Sequence, residues 1–150
     1  MRHIGEGGVL ERSMARLDKL TPGSAAKWGR MSAAEMVCHL SDSFLFALGR
    51  KKASEASGIV QRTVMKWVAL YVPAPWPKNV GTRPEMEAGK GGTAPSNFDE
   101  DRRALAELMA EFARQDSFGV AHPIFGQMSR EEWMRWGYLH VDHHFRQFGI

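Results

Sequence analysis

Apolar residues recur at intervals of three and four along much of the chain, which is the spacing of a helical face. The pattern predicts helices over residues 8–20, 33–48, 53–71, 98–115 and 129–148. No stretch shows the alternation that is typical of a half-buried strand. The sequence therefore predicts one all-α domain over residues 1–150, arranged as a helix bundle.

Two of these helices begin with the same local signal. Ser32 precedes the second helix and Ser129 the last, and each is followed three residues later by glutamate. In such a capping box, the serine hydroxyl and the glutamate carboxylate each satisfy a backbone N–H of the first turn. These two helices are therefore expected to be the most firmly defined.

The stretch from Val72 to Ser96 is dense in proline and glycine and shows no regular period. It also carries Trp76 and Val80, which are apolar enough to lie against the helices. The composition predicts an ordered but irregular cover that is anchored by Trp76.

Charge and cysteine content exclude several classes of protein. Twenty Lys and Arg against seventeen Asp and Glu give a net charge of +3, and the basic residues are scattered, so no nucleic-acid surface is expected. Cys38 is the only cysteine, which excludes an internal disulfide and favours a reducing, cytoplasmic location. No apolar run approaches the ~20 residues of a membrane span.

Three histidines are the main candidates for chemistry. His140 and His144 are one turn apart on the last helix, on the face that also carries Trp133, Gly137 and Gln147. This spacing lets two imidazoles converge on one metal ion. His39 lies on the apolar side of the second helix. A divalent metal bound by His39, His140 and His144 would satisfy three inward imidazoles at once.

Other polar residues have less certain roles. His143 is the rival ligand to His144, and is otherwise a residue beside the metal or a surface side chain. Asp42, three residues after His39, is expected either to accept an imidazole N–H or act as a base, or to be an exposed carboxylate. Gln147 is expected to orient a substrate or to bond the backbone. Cys38 is interpreted as a small core residue, and His122 as pinning its loop.

Two segments of the sequence resemble a known superfamily, and two more resemble one branch of it. WGRMSAAEMVCHLSDS in the second helix and HVDHHFRQFG at the end resemble the DinB/YfiT-like superfamily of metal-binding four-helix bundles. Its members carry one histidine in the second helix and an HxxxH pair in the last, which match His39, His140 and His144. PKNVGTRPEM and HPIFGQMS resemble an uncharacterised bacterial branch. The resemblance implies metal-dependent chemistry with low-molecular-weight thiols and no DNA binding.

Three neutral imidazoles leave a metal at least one open position, which is typical of a catalytic site. The sequence thus favours an enzyme that uses zinc or nickel, with iron and manganese as alternatives, to activate a thiol or water against a small-molecule substrate. The expected reactions are thiol transfer and hydrolysis. The alternative is a non-catalytic, metal-stabilised module that binds a ligand or a partner helix. Substrate-binding residues are unknown at this stage.

A second apolar stripe on the last helix predicts a homodimer. The stripe consists of Met134, Tyr138, Val141, Phe145 and Phe148. If it lies outside the core, it exposes enough apolar surface for self-association.

Overall fold

The computed structural model describes residues 1–150 as an all-α protein with five α-helices and no strands. The helices are α1 (Val9–Leu17), α2 (Ala33–Ala47), α3 (Lys66–Tyr71), α4 (Phe98–Ala113) and α5 (Arg130–Gln147). The all-α prediction is confirmed, and each predicted helix corresponds to a helix of the structure.

Both predicted capping boxes are present. The Ser32 hydroxyl accepts from the Glu35 N–H and the Glu35 carboxylate accepts from the Ser32 N–H, at 3.2 and 2.8 Å. Ser129 and Glu132 form the same pair with the same distances. The helices that carry the candidate histidines, α2 and α5, therefore start at fixed points of the chain.

The core lies between α2, α4 and α5, with α1 packed against α4 and α5. Gly137 of α5 makes room for Phe112 of α4, because a Cβ at this position would lie 2.7 Å from the Phe112 ring. The largest fully buried side chains are Trp133, Phe44, Phe112 and Phe145. This core holds the inner faces of α2 and α5 toward each other.

The third predicted helix is too long. Residues 53–58 are not helical; the helical segment starts at residue 59 and includes a π-helical turn, Gln61–Met65, before α3. The Ala56 N–H donates to the Pro123 carbonyl and the Ser54 N–H to the Glu85 carboxylate, at 2.8 and 2.9 Å. These bonds to distant partners replace the local bonds that a helix would need.

Residues 72–96 form the irregular cover that their composition predicts. One short 3₁₀ helix, Pro84–Met86, is its only helical element. The Trp76 indole N–H donates to the Ala69 carbonyl at 2.8 Å, and the Met86 side chain is buried. The cover is therefore attached to α3 at one point and to the core at another.

The stripe on α5 that suggested a dimer is part of the core. Met134, Val141, Phe145 and Phe148 are each at most 6% exposed. This basis for self-association is wrong, because the helix is surrounded on that side by the rest of the chain. No helix has the length and apolar character needed to span a membrane.

Candidate metal centre

The fold brings His39 of α2 together with His140 and His144 of α5. One ring nitrogen of each lies within 4.8 Å of the other two. The Nε2 atoms of His39 and His140 are 3.1 Å apart, and the ring centroids of His39 and His144 are 4.7 Å apart. Two helices therefore place three imidazoles around one point.

A main-chain carbonyl of the cover fixes the tautomer of His39. His39 Nδ1 lies 3.0 Å from the Met86 carbonyl oxygen. A carbonyl can only accept, so Nδ1 carries the proton and Nε2 keeps its lone pair. That lone pair faces the other two histidines, which is the orientation that a metal ligand needs.

A side-chain amide fixes His144 in the same way. The Gln147 Nε2 donates to the Trp28 carbonyl at 2.8 Å, which leaves Oε1 to accept from His144 Nδ1 at 2.8 Å. Gly29, with φ of 81°, makes room for this arrangement, because a Cβ there would lie 2.7 Å from Gln147 Nε2. Gln147 therefore bonds the backbone, as one of its two predicted roles required, and also orients His144.

His140 is positioned by aromatic packing. Its ring lies 5.0 Å from the Trp136 ring and 6.0 Å from the Trp76 ring, between the core and the cover. Its Nδ1 is buried and has no hydrogen-bond partner. His140 is thus held by this packing and by the 3.1 Å approach of its Nε2 to that of His39.

Burial keeps the three imidazoles neutral. It lowers the pKa of His39, lowers that of His140 well below the ordinary value, and lowers that of His144 to about 3. Neutral imidazole is the form that binds a metal. A metal ion could therefore bind to the cluster without an imidazolium first losing a proton.

The separation of the His39 and His140 nitrogens fits a shared metal ion. Two nitrogens at ~2.05 Å from one tetrahedral zinc ion lie about 3.3 Å apart. The observed 3.1 Å between His39 and His140 Nε2 is close to this value. Two nitrogen lone pairs at this distance repel unless a proton or a cation lies between them. The donor set and its geometry therefore suit a divalent metal with nitrogen ligands.

Asp42 does not accept the imidazole N–H of His39 and is not an exposed carboxylate, so these two of its three predicted roles are wrong. Its side chain is buried, and its carboxylate accepts from the Thr93 N–H and hydroxyl, each at 2.7 Å, and pairs with Lys51 at 2.9 Å. The partner of the His39 Nδ1 is the Met86 carbonyl instead. Asp42 therefore fastens the end of the cover to α2.

His143 lies beside the cluster, with its ring 5.1 Å from that of His144, but it is not one of the three histidines whose nitrogens converge. It is half-buried, with its ring 5.9 Å from that of Trp28 and 6.1 Å from that of Trp76. Burial lowers its pKa. The geometry therefore favours His144 over His143 as the second candidate ligand on α5.

The remaining thiol and imidazole fill structural positions. Cys38 is buried and its pKa is raised to about 11 by burial, which leaves the thiol protonated and unreactive. His122 is buried, and its Nδ1 accepts from the N–H groups of Ile124 and Phe125 at 3.2 and 3.1 Å. It pins its loop, as the sequence predicted.

A cavity of about 470 Å³ opens beside the cluster. His39 and His144 line its floor, and the cover lines one wall with residues such as Asn79 and Lys90. The volume is within the usual range for a small-molecule site. Two of the three candidate ligands are therefore accessible to a small molecule.

Two contributors to the centre were not found from the sequence. Met86 and Trp28 act through backbone carbonyls, which every residue has, so their types carry no signal. The one local hint is Gly29 after Trp28, where a positive φ and the close Gln147 side chain favour glycine.

Residues 8–149 match the model of a family described as a protein of unknown function, DUF1569. Since the match spans almost the whole chain, the protein belongs to this family. Comparisons with curated proteins and with solved structures gave no match.

Proposed function

We propose that this protein is a metal-dependent enzyme in which His39, His140 and His144 bind one divalent metal ion. The observation that carries the proposal is the convergence of three neutral imidazoles within 4.8 Å, two of them with their Nε2 lone pairs oriented by Met86 and Gln147. The arrangement also supports membership of the DinB/YfiT-like four-helix bundles, with α1, α2, α4 and α5 as the four helices.

The ligand set suits zinc or nickel, with iron and manganese as alternatives. When bound, such an ion acidifies a water molecule or a thiol and so supplies a nucleophile. The expected reactions are thiol transfer to a small electrophile and hydrolysis. The substrate is a small molecule, because the cavity above His39 and His144 holds about 470 Å³.

Two observations favour an enzyme over the alternative of a non-catalytic, metal-stabilised module. A structural site is usually closed by a fourth protein ligand. Here Asp42 of α2 is engaged by Thr93 and Lys51. Glu35, the α2 carboxylate that lines the cavity, accepts from the Ser32 N–H in the capping box. The open side of the cluster faces a cavity instead.

His143 is the candidate for proton transfer. It lines the cavity beside His144, and its lowered pKa leaves the ring neutral and able to accept a proton at neutral pH. Gln147 and the Met86 carbonyl act as positioning groups, since each holds the N–H of one ligand imidazole.

Elemental analysis of protein purified without a histidine tag tests the proposal. We expect close to one divalent ion per chain in the wild type. His39→Ala, His140→Ala and His144→Ala should each lose most of it, because two imidazoles hold a divalent ion far less well than three. His143→Ala is the matched control and should retain the metal.

Circular dichroism of each variant separates loss of ligand from loss of fold. A metal-free wild type that takes up no zinc, nickel, iron or manganese would refute the metal centre. Greater metal loss in His143→Ala than in His144→Ala would mean that the ligand pair on α5 is wrong. Activity that persists after all three histidines are replaced would refute a catalytic role for the metal, and a metal-loaded wild type with a protein side chain in the fourth position would favour the non-catalytic alternative.

A further inference from the structure

A second cavity, of about 400 Å³, lies on the other side of His143. Trp28 and His143 line both this cavity and the one above the histidine cluster, so the two adjoin. Its walls combine the rings of Trp76 and Tyr138 with the aliphatic Val72 and the prolines that follow. The mechanism proposed above makes no use of this space.

The charge of the second cavity is strongly unbalanced. Four cationic side chains line it, from Arg2, Lys78, Arg135 and Arg146, against the single carboxylate of Asp142. Asp142 is itself held by two ion pairs of 2.7 Å, one to Arg146 and one to Arg16 from outside the cavity. The cavity therefore has no carboxylate to spare for its other cations.

Three cations remain without an acidic partner. Arg2, Lys78 and Arg135 form none of the ion pairs in the structure. Arg2 donates to the Tyr138 hydroxyl at 3.3 Å, and Arg135 donates to the Leu70 carbonyl at 3.1 Å. These neutral acceptors orient the guanidinium groups without neutralising them.

Aromatic rings hold these cations at the wall of the cavity. The guanidinium carbons of Arg2 and Arg135 each lie 5.8 Å from the centre of the Tyr138 ring. Lys78 Nζ lies 4.6 Å from the centre of the Trp28 ring. Cation–π contacts fix the positions of the charges but do not offset their mutual repulsion. An anion bound between them would.

We infer that this cavity is a binding site for an anionic, flat small molecule. Its carboxylate or phosphate groups would bind Arg2, Arg135 and Lys78, and its ring or conjugated part would pack against the tryptophan rings. Trp28 and His143 form the shared boundary between this cavity and the one above the metal centre. A molecule bound here would therefore lie beside the reacting atoms. That last link rests on the proposed function; the binding of the anion does not.

Isothermal titration calorimetry with a matched pair of probes tests the inference. Naphthalene-2,6-dicarboxylate is the anionic probe, and its neutral diamide is the control of the same shape. We expect the dianion to bind at least tenfold more tightly than the diamide. Its affinity should fall as salt is raised, since the contacts are charged and partly exposed.

Variants locate the binding. Lys78→Gln and Arg135→Gln should each lower the affinity for the dianion about three- to tenfold and leave the affinity for the diamide unchanged. Lys78→Arg should keep most of the wild-type affinity for the dianion. Lys19→Gln is the matched control, because Lys19 is exposed and does not line the cavity. If Arg135→Gln disturbs the fold, Lys78→Gln still decides the result.

The same titrations after chelation of any metal separate this site from the metal centre. Retained affinity of the dianion in the metal-free protein supports the second cavity, even if the proposed metal function fails. Equal affinity for both probes, an effect of Lys78→Gln no larger than that of Lys19→Gln, or loss of binding on chelation would each overturn the inference.

Discussion

The last helix, α5, and the helical segment of residues 59–71 carry apolar stripes of similar spacing. The stripe is buried in α5 and mostly exposed in the 59–71 segment. On α5 the stripe is core, and Trp133 is fully buried. On the 59–71 segment Ile59, Val64 and Trp67 are 81%, 60% and 60% exposed, and Leu70 is the one buried side chain. Periodicity thus identifies the apolar side of a helix, but it does not show whether the rest of the chain covers that side.

The physical difference lies in what fixes each helix. α5 has a capping box at its start and packs against α1, α2 and α3. The 59–71 segment lacks a full capping box, since only the Gln61 side chain accepts from the Gly58 N–H at 3.1 Å, and it contains the π-helical turn Gln61–Met65. The π turn changes the phase of the stripe, so residues before and after it no longer share one inward line.

Matched tryptophan substitutions should give the largest contrast between the two regions. Trp133→Ala should lower the free energy of unfolding by about 3–5 kcal/mol, because it leaves a cavity in the core. Trp67→Ala should change it by only about 0.5 kcal/mol or less, since its ring is mostly exposed. Urea unfolding followed by circular dichroism measures both. Similar losses would contradict the observed difference in burial.

The dimer stays a prediction, but its surface moves from α5 to the 59–71 segment. The segment exposes several apolar side chains, among them Ile59, Val64 and Trp67, and exposed apolar surface of this kind is typical of an interaction site. The cations beside it, Arg62 and Lys66, are paired with Glu55 and Glu132. Such a neutral face suits a second copy of itself better than an anionic surface.

Sedimentation velocity at micromolar concentration tests this surface. We expect a dimer whose dissociation constant rises at least tenfold in Trp67→Ala, since a central tryptophan typically contributes about 2 kcal/mol or more to an interface. Val80→Ala is the control, because Val80 is also exposed but lies outside the segment. A wild-type monomer would refute the dimer.

Acid should destabilise the protein through the buried histidines, and His122 isolates this effect from the metal centre. Burial lowers its folded-state pKa to about 3, while the unfolded value is about 6.5. Below about pH 6.5 the unfolded chain binds a proton that the folded chain does not, so the free energy of unfolding decreases as the pH is lowered.

We therefore expect the metal-free wild type to lose on the order of 1–2 kcal/mol more than His122→Gln between pH 7 and pH 5. Urea unfolding in the presence of a chelator at both pH values measures the difference. The His122→Gln variant is less stable at pH 7, so the comparison is of the change and not of the absolute value. An equal change in both proteins would contradict the assignment.

The smallest expected effect concerns the cap of α5. Ser129→Ala removes the hydroxyl that accepts from the Glu132 N–H and should cost about 1 kcal/mol of stability. Ser57→Ala, just before the 59–71 segment, removes only exposed contacts to Glu55 and Arg62 and should cost a few tenths of a kcal/mol. Thermal unfolding of the two variants side by side measures the contrast; equal shifts would mean that the cap does not distinguish the helices.

The sequence predicted features that depend on local spacing. The capping boxes at Ser32 and Ser129 were identified because their partners are three residues away. The placement of His140 and His144 on one face of α5 also followed from local geometry. The approach of His39 to these two was predicted by combining an inward histidine on α2 with an inward pair on α5, and the structure brings the three together.

Features that depend on distant partners were missed. Asp42 is bound by Thr93, which is 51 residues away, so its helical neighbourhood gave no indication of its partner. Residues 53–58 favour a helix locally but exchange hydrogen bonds with Glu85 and Pro123 instead. The hydrogen-bond acceptors for His39 and Gln147 are backbone carbonyls. Every residue has one, so the residue type does not predict this role.

The Met86 carbonyl implies an unusual pattern of mutational tolerance. Because the group that orients His39 belongs to the main chain, replacing the Met86 side chain by one of similar volume leaves the hydrogen bond in place. Inserting or deleting one residue between Trp76 and Thr93 would instead carry the carbonyl away from His39. In this segment, evolution is therefore freer to vary the residue types than the length of the loop.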